Sequence, residues 1–85
     1  MKRKIAAGRK TSYTVVFEKN EEGGFTVTVP ILPGLVTEGR TLKEARSMAE
    51  DAILCYLEGL RKDGEPIPVE SEVDVEKLEV VVPAA

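Results

Sequence analysis

The sequence predicts an α/β fold of the mixed α+β kind, with element order β-β-β-α-β. A four-stranded mixed sheet would be covered on one face by one long helix. Three observations carry this reading. Residues 41–62 place apolar side chains at three- and four-residue steps, the spacing of one helix face. Ahead of them, two runs rich in β-branched and aromatic residues alternate with period two. Behind them, a valine-rich run closes the chain. At 85 residues there is material for one domain, and one helix layer on one sheet is the architecture that such a length supports.

The first ten residues hold Lys2, Arg3, Lys4, Arg9 and Lys10 without an acid, a charge of +5. The other 75 hold seven basic and fifteen acidic residues, a charge of −8, so the overall −3 hides a division. A flexible basic arm over residues 1–11 and a single domain over 12–85 are expected. Such an arm keeps a chain in solution, or touches nucleic acid or an acidic neighbour.

From Ser12 to Lys19, Tyr13, Val15 and Phe17 alternate with Thr14, Val16 and Glu18, which reads as the first strand. Asn20-Glu-Glu-Gly-Gly24 has the length and the glycines of a hairpin turn. Phe25, Val27 and Val29 then alternate with Thr26 and Thr28 in a second strand, with the threonines on its more exposed side. Pro30-Ile-Leu-Pro-Gly34 removes two backbone donors and interrupts the ladder. Its Pro33-Gly34 step suits a type II turn. Leu35 to Glu38 returns as a short third strand.

Thr41-Leu-Lys-Glu44 has the form of a capping box, a threonine at the N-cap with a glutamate three residues on. Leu42, Ala45, Ala49, Ile53, Tyr56 and Leu60 make the apolar stripe, and Asp63-Gly64 ends the helix. Phe17, Phe25, Leu42, Ile53, Tyr56 and Leu60 are expected to share one core. Pro66-Ile-Pro68 is extended, and Lys77 to Val82 is the fourth strand, expected to lie parallel to the first through a crossover.

Composition removes whole classes of chemistry. Histidine is absent, so His-dependent triads, His metal sites and imidazole proton shuttles are excluded. One cysteine, Cys55, cannot close an internal disulfide, which suits a reducing cytoplasm. It is expected to pack at the flank of the stripe, with a reactive thiol as the alternative. No run of 18 apolar residues spans a membrane, and the N-terminus lacks a secretory apolar core.

The strand order also begins a ribonuclease-H-type nuclease, in which converging acids hold two metal ions. Glu18, Glu44 or Asp51, and Glu79 are the available carboxylates, but their alternation does not bring them together. Gly39-Arg40-Thr41 at a helix start is a weak anion site, and ordinary capping is the reading adopted. Lys43 with Ser47 has nothing to desolvate the amine. No catalytic residue, metal ligand or cofactor is assigned. The helix is also wide on its apolar side. Met48, Ala52, Cys55 and Gly59 form a second row of small or adaptable residues, and Leu54 lies nearer the charged side. Met48, Leu54 and Cys55 are therefore candidate contacts in a homo-oligomer, a dimer or tetramer.

Gly23-Gly-Phe-Thr-Val-Thr-Val-Pro-Ile-Leu-Pro-Gly34, then Val36-Thr-Glu-Gly39, Thr41-Leu-Lys-Glu-Ala45 and Ala49-Glu-Asp-Ala-Ile53, occur in an order that resembles the HicB-type antitoxins. The resemblance runs from about Tyr13 to Val82. It implies a truncated ribonuclease-H-like fold without catalytic acids, in a cytosolic prokaryotic protein. It also implies a non-enzymatic role: oligomers that bind a small mRNA-cleaving toxin of the HicA type in a type II toxin–antitoxin system. Many relatives add a C-terminal DNA-binding module. None is expected here, which leaves only the basic arm for nucleic acid. Leu35 and Arg40 depart from the residues usual in the family. Two other readings are a metal-dependent nuclease of the parent fold and a stand-alone oligomeric nucleic-acid-binding or structural domain. The exposed acids Glu38, Glu44, Glu50, Asp51 and Glu58 are the candidate partner-binding residues.

Overall fold

The computed structural model describes residues 10–85. Strand β1 (Val16–Lys19) pairs antiparallel with β2 (Phe25–Thr28), which pairs antiparallel with β3 (Val36–Gly39). The sheet order is β1-β2-β3, and helix α1 (Leu42–Lys62) follows. The basic arm expected over 1–11 lies almost wholly outside the described residues.

The β1–β2 hairpin is set by Asn20, whose Oδ1 accepts from the N–H groups of Glu22 at 3.1 Å and Gly24 at 2.9 Å. An asparagine side chain thereby replaces the backbone partner that a tight turn leaves unmet. Continuing the register past Val16↔Thr28 sets Pro30 opposite Thr14, where the ladder stops. This shortens the first strand at its N-terminal end. The Thr14 N–H is instead taken by the Glu70 carboxylate, at 2.9 and 3.0 Å.

The two-proline loop does more than interrupt a ladder. Leu32 N–H donates to Val29 O, and Leu35 N–H donates to Leu32 O, so two turns follow each other. Gly34 at φ +86° occupies the left-handed position that a type II turn requires. Together the turns drive Leu32 and Leu35 inward, and with Val29 they form one buried cluster. Tyr13, Ile31, Ala52, Ile53, Tyr56 and Leu57 pack around it, and the Tyr56 hydroxyl donates to Pro33 O at 2.8 Å. A second cluster joins Val27, Ala45 and Ala49, flanked by Val15, Phe17 and Phe25.

The single core expected from the sequence is thus two adjoining clusters. Phe17 and Phe25 belong to one, Ile53 and Tyr56 to the other. Leu42 is exposed and Leu60 stands outside both, because the loop leucines fill the space beneath the C-terminal half of α1.

Both helix ends are closed by local bonds. Thr41 Oγ1 accepts from Glu44 N–H at 3.0 Å, and Glu44 Oε1 accepts from Arg40 N–H at 2.7 Å, one residue ahead of the usual capping-box donor. At the far end Gly64, at φ +72°, donates to Arg61 O while Glu65 N–H donates to Leu60 O. That pair of bonds is a Schellman motif. The helix packs chiefly on β3, less on β2, and little on β1. Close approach to β3 depends on Gly39, where a Cβ would meet the Ala45 backbone, Cα included at 2.6 Å.

The expected fourth strand does not form within the chain. Residues 65–85 carry no strand, and among the described residues the sheet is three-stranded and wholly antiparallel. The physical reason lies at the exit from the helix. Tyr13 O–H donates to Pro68 O at 2.6 Å, and Glu70 is held on both the N–H and the hydroxyl of Thr14. Pro66 and Pro68 fix their own φ angles, and the valine run then leaves the body. The radius of gyration is accordingly 16.6 Å, where about 12 Å describes a compact chain of this length. The fourth strand of the β-β-β-α-β order expected from the sequence is thus absent from the sheet of the described residues.

Candidate partner-binding surface

Among the described residues one helix covers one face of the sheet and the other face is open. Val27 is buried toward α1, and the register therefore turns two cross-strand rows outward: Val16–Thr28–Val36 and Glu18–Thr26–Glu38. Glu38 is exposed in the second row. It also lines a shallow depression of about 390 Å³ with Asn20, Glu22, Arg40 and Glu44 at the entry to the helix. Glu38 and Glu44 are the two candidate acids that the fold brings side by side.

Along α1, Glu44, Asp51 and Glu58 recur every seven residues, all exposed. Seven residues are two turns less 20°, so these carboxylates form one ridge with steps of roughly 10.5 Å. Glu50 does not belong to it. At 100° per residue it falls on the other flank, beside Arg46, Leu54 and Leu57. The five candidates are therefore an entry pair, a ridge that shares Glu44 with that pair, and one separate acid. Glu44 is also structural, since one of its oxygens already accepts from Arg40 N–H.

The candidate oligomer contacts divide in the same way. Met48 and Cys55 are seven apart and share the flank next to the acidic ridge, whereas Leu54 stands about 100° from Cys55. Leu54 is 60% exposed. The packing expected of Cys55 is not made, and its thiol is exposed. Leu54 instead lines a groove of about 710 Å³ between β1 and α1, with Tyr13, Val15, Phe17, Ile53 and Leu57. That groove was not anticipated. Its one sequence signal is Leu57, three residues after Leu54, which widens the apolar stripe on the side away from Met48.

The carboxylates weighed for metal-dependent cleavage are dispersed. Glu18 is on the open sheet face, Asp51 on the outer helix and Glu79 on the exposed C-terminal run. Among the described residues no three of Cys, Asp and Glu are grouped so as to hold a metal ion. Nor is any helix there long and apolar enough to cross a membrane.

Fold and surface together define a small α+β domain whose prominent features are open faces: an acidic helix ridge, an uncovered sheet and an apolar groove. Comparison with known proteins gives that class a family. Residues 13–80 match the HicB-like antitoxin family of bacterial toxin–antitoxin systems. A UPF0150 protein of Thermoplasma acidophilum is 43% identical over 63 residues, covering 74% of this chain and 91% of the relative. Antitoxin HicB 1 of Photorhabdus laumondii is 37% identical over 73 residues, covering 86% of this chain and 47% of the relative. Antitoxin HicB of Escherichia coli is 32% identical over 71 residues, covering 84% and 51%. The chain belongs to the HicB-like antitoxin family. It spans about half the length of the two relatives named as antitoxins.

Proposed function

We propose that this protein acts as an antitoxin: it binds a small RNA-cleaving toxin of the HicA type and covers its RNA-binding surface, with no hydrolytic step of its own. The observation that carries the reading is the family match across residues 13–80. The acidic ridge supports it. A toxin that grips RNA presents a positive surface, and carboxylates spaced along a rigid helix compete for that surface where phosphates would lie. Such complementarity mainly raises the association rate and selects partners, while apolar contacts hold the complex. Asp51 and Glu58 are the residues assigned to this steering, with Glu38, Glu44 and Glu50 as further contacts. The toxin's substrate is mRNA, which places the encounter in the cytoplasm.

The test is to purify the protein with the product of its neighbouring reading frame, and to measure both binding and RNA cleavage. Stoichiometric suppression of cleavage is the expected result. Absence of binding at low salt, with both proteins folded, overturns the proposal. Incubating this protein alone with RNA and magnesium or manganese should leave the RNA intact.

A further inference from the structure

Among the described residues, two surfaces are apolar, exposed and without an occupant. One is the groove beside β1. Among the described residues that strand is a sheet edge with a partner on one side alone, and α1 sits over β3 and β2. Tyr13, Val15 and Phe17 therefore face Ile53, Leu54 and Leu57 across open space. A free edge next to an apolar wall is a template for one more strand. The other surface is the C-terminal run. Leu78, Val80 and Val82 alternate with Lys77, Glu79 and Val81, and are 80, 75 and 80% exposed. This period-two pattern is that of a strand with one apolar face.

We propose that Leu78–Val82 of a second copy of this chain adds to the β1 edge and fills the groove, the two copies exchanging arms reciprocally. The chain's own arm does not suit its own groove. Glu70 is fixed beside Thr14, so a parallel run in that register would set Glu72–Val75 against Val16–Lys19. Leu78–Val82 would then pass beyond Lys19, where β1 ends. A second copy has no such register imposed on it, and can lay Leu78, Val80 and Val82 over Phe17, Leu54 and Leu57. Reciprocal exchange makes a closed two-fold dimer in which each arm meets the same groove. Extended, the five residues Leu78–Val82 are roughly 17 Å long, which matches the four-residue edge of β1, and backbone pairing along that edge adds to the apolar contact. The proposal does not depend on the antitoxin reading.

The experiment uses the full chain. Its solution mass at micromolar concentration should equal two chains, and Val80→Asp with Val82→Asp should halve it. Arm placement is read separately, because those variants alter the arm itself. In a Cys55→Ser background, a chain carrying Leu54→Cys is mixed with one carrying Val80→Cys and oxidised. A disulfide joining the two different chains is the expected product. A one-chain mass for the unmodified protein overturns the proposal. So does a two-chain mass that survives both aspartates, or a disulfide that forms only when both cysteines sit on one chain.

Discussion

Gly39 shows at the scale of one residue how α1 comes to lie where it does. A methyl group there would collide with the Ala45 backbone, so any side chain forces helix and strand apart. Gly39→Ala should therefore cost about 1–3 kcal/mol as an overpacking change, read as a lower urea midpoint. Gly34 has open space around its Cα, and its constraint is the backbone at φ +86°. Leu32 is the counterpart in the core. It is among the largest fully buried side chains and sits in the loop rather than in a regular element. Leu32→Ala should cost about 2–5 kcal/mol. Leu60→Ala, at a half-buried site outside both clusters, should cost clearly less by the same denaturation measurement.

α1 is held at its start by Thr41 and Glu44 acting together, one capping Glu44 N–H and the other Arg40 N–H. Thr41→Ala should destabilise by about 0.5–2 kcal/mol. Combined with Glu44→Ala, the loss should fall short of additivity, since both residues secure one helix end. A double-mutant cycle by thermal unfolding checks this. Glu44→Gln keeps an oxygen acceptor and should retain most of the cap. It is thus the substitution that separates a stabilising role from a partner-binding one. The helix exit is held less directly, through Tyr13 on Pro68 and Thr14 on Glu70. Those contacts tie the start of the C-terminal run to the sheet and leave Lys77–Val82 outside it.

Charge acts on the whole molecule. Beyond the first ten residues the chain carries −8, and the Glu44–Asp51–Glu58 ridge concentrates part of that charge on an exposed helix face. Asp51→Asn, Glu58→Gln and Glu44→Gln together should slow association with a basic toxin and flatten its salt dependence. Stopped-flow rates across a salt series measure this. Folding stability should change little, because interactions between exposed charges are typically worth about 0–1 kcal/mol. If steering is the role of the ridge, the dissociation rate will move less than the association rate.

The sequence by itself determined the three short strands, the hairpin turn, the two-proline turn, the capped helix and the family. Each of these rests on local chemistry: alternation, glycine and proline φ preferences, a threonine with a glutamate three residues on, or a motif order. It also made the exposed acids legible, since opposite faces of one helix follow from spacing alone. What the sequence could not fix was the partner of each apolar surface. Leu32 looked like a turn residue and Leu35 like the start of a strand, and both became loop residues of the core, while Leu42 looked like core and became surface. Val80-Val-Val82 has the pattern of a buried strand, but pattern says only that a surface should be covered. Which chain covers it depends on where Tyr13 and Thr14 hold Pro68 and Glu70, contacts between residues more than fifty positions apart. Spacing within one helix or strand carries no information about such contacts, so the tertiary structure alone decided them.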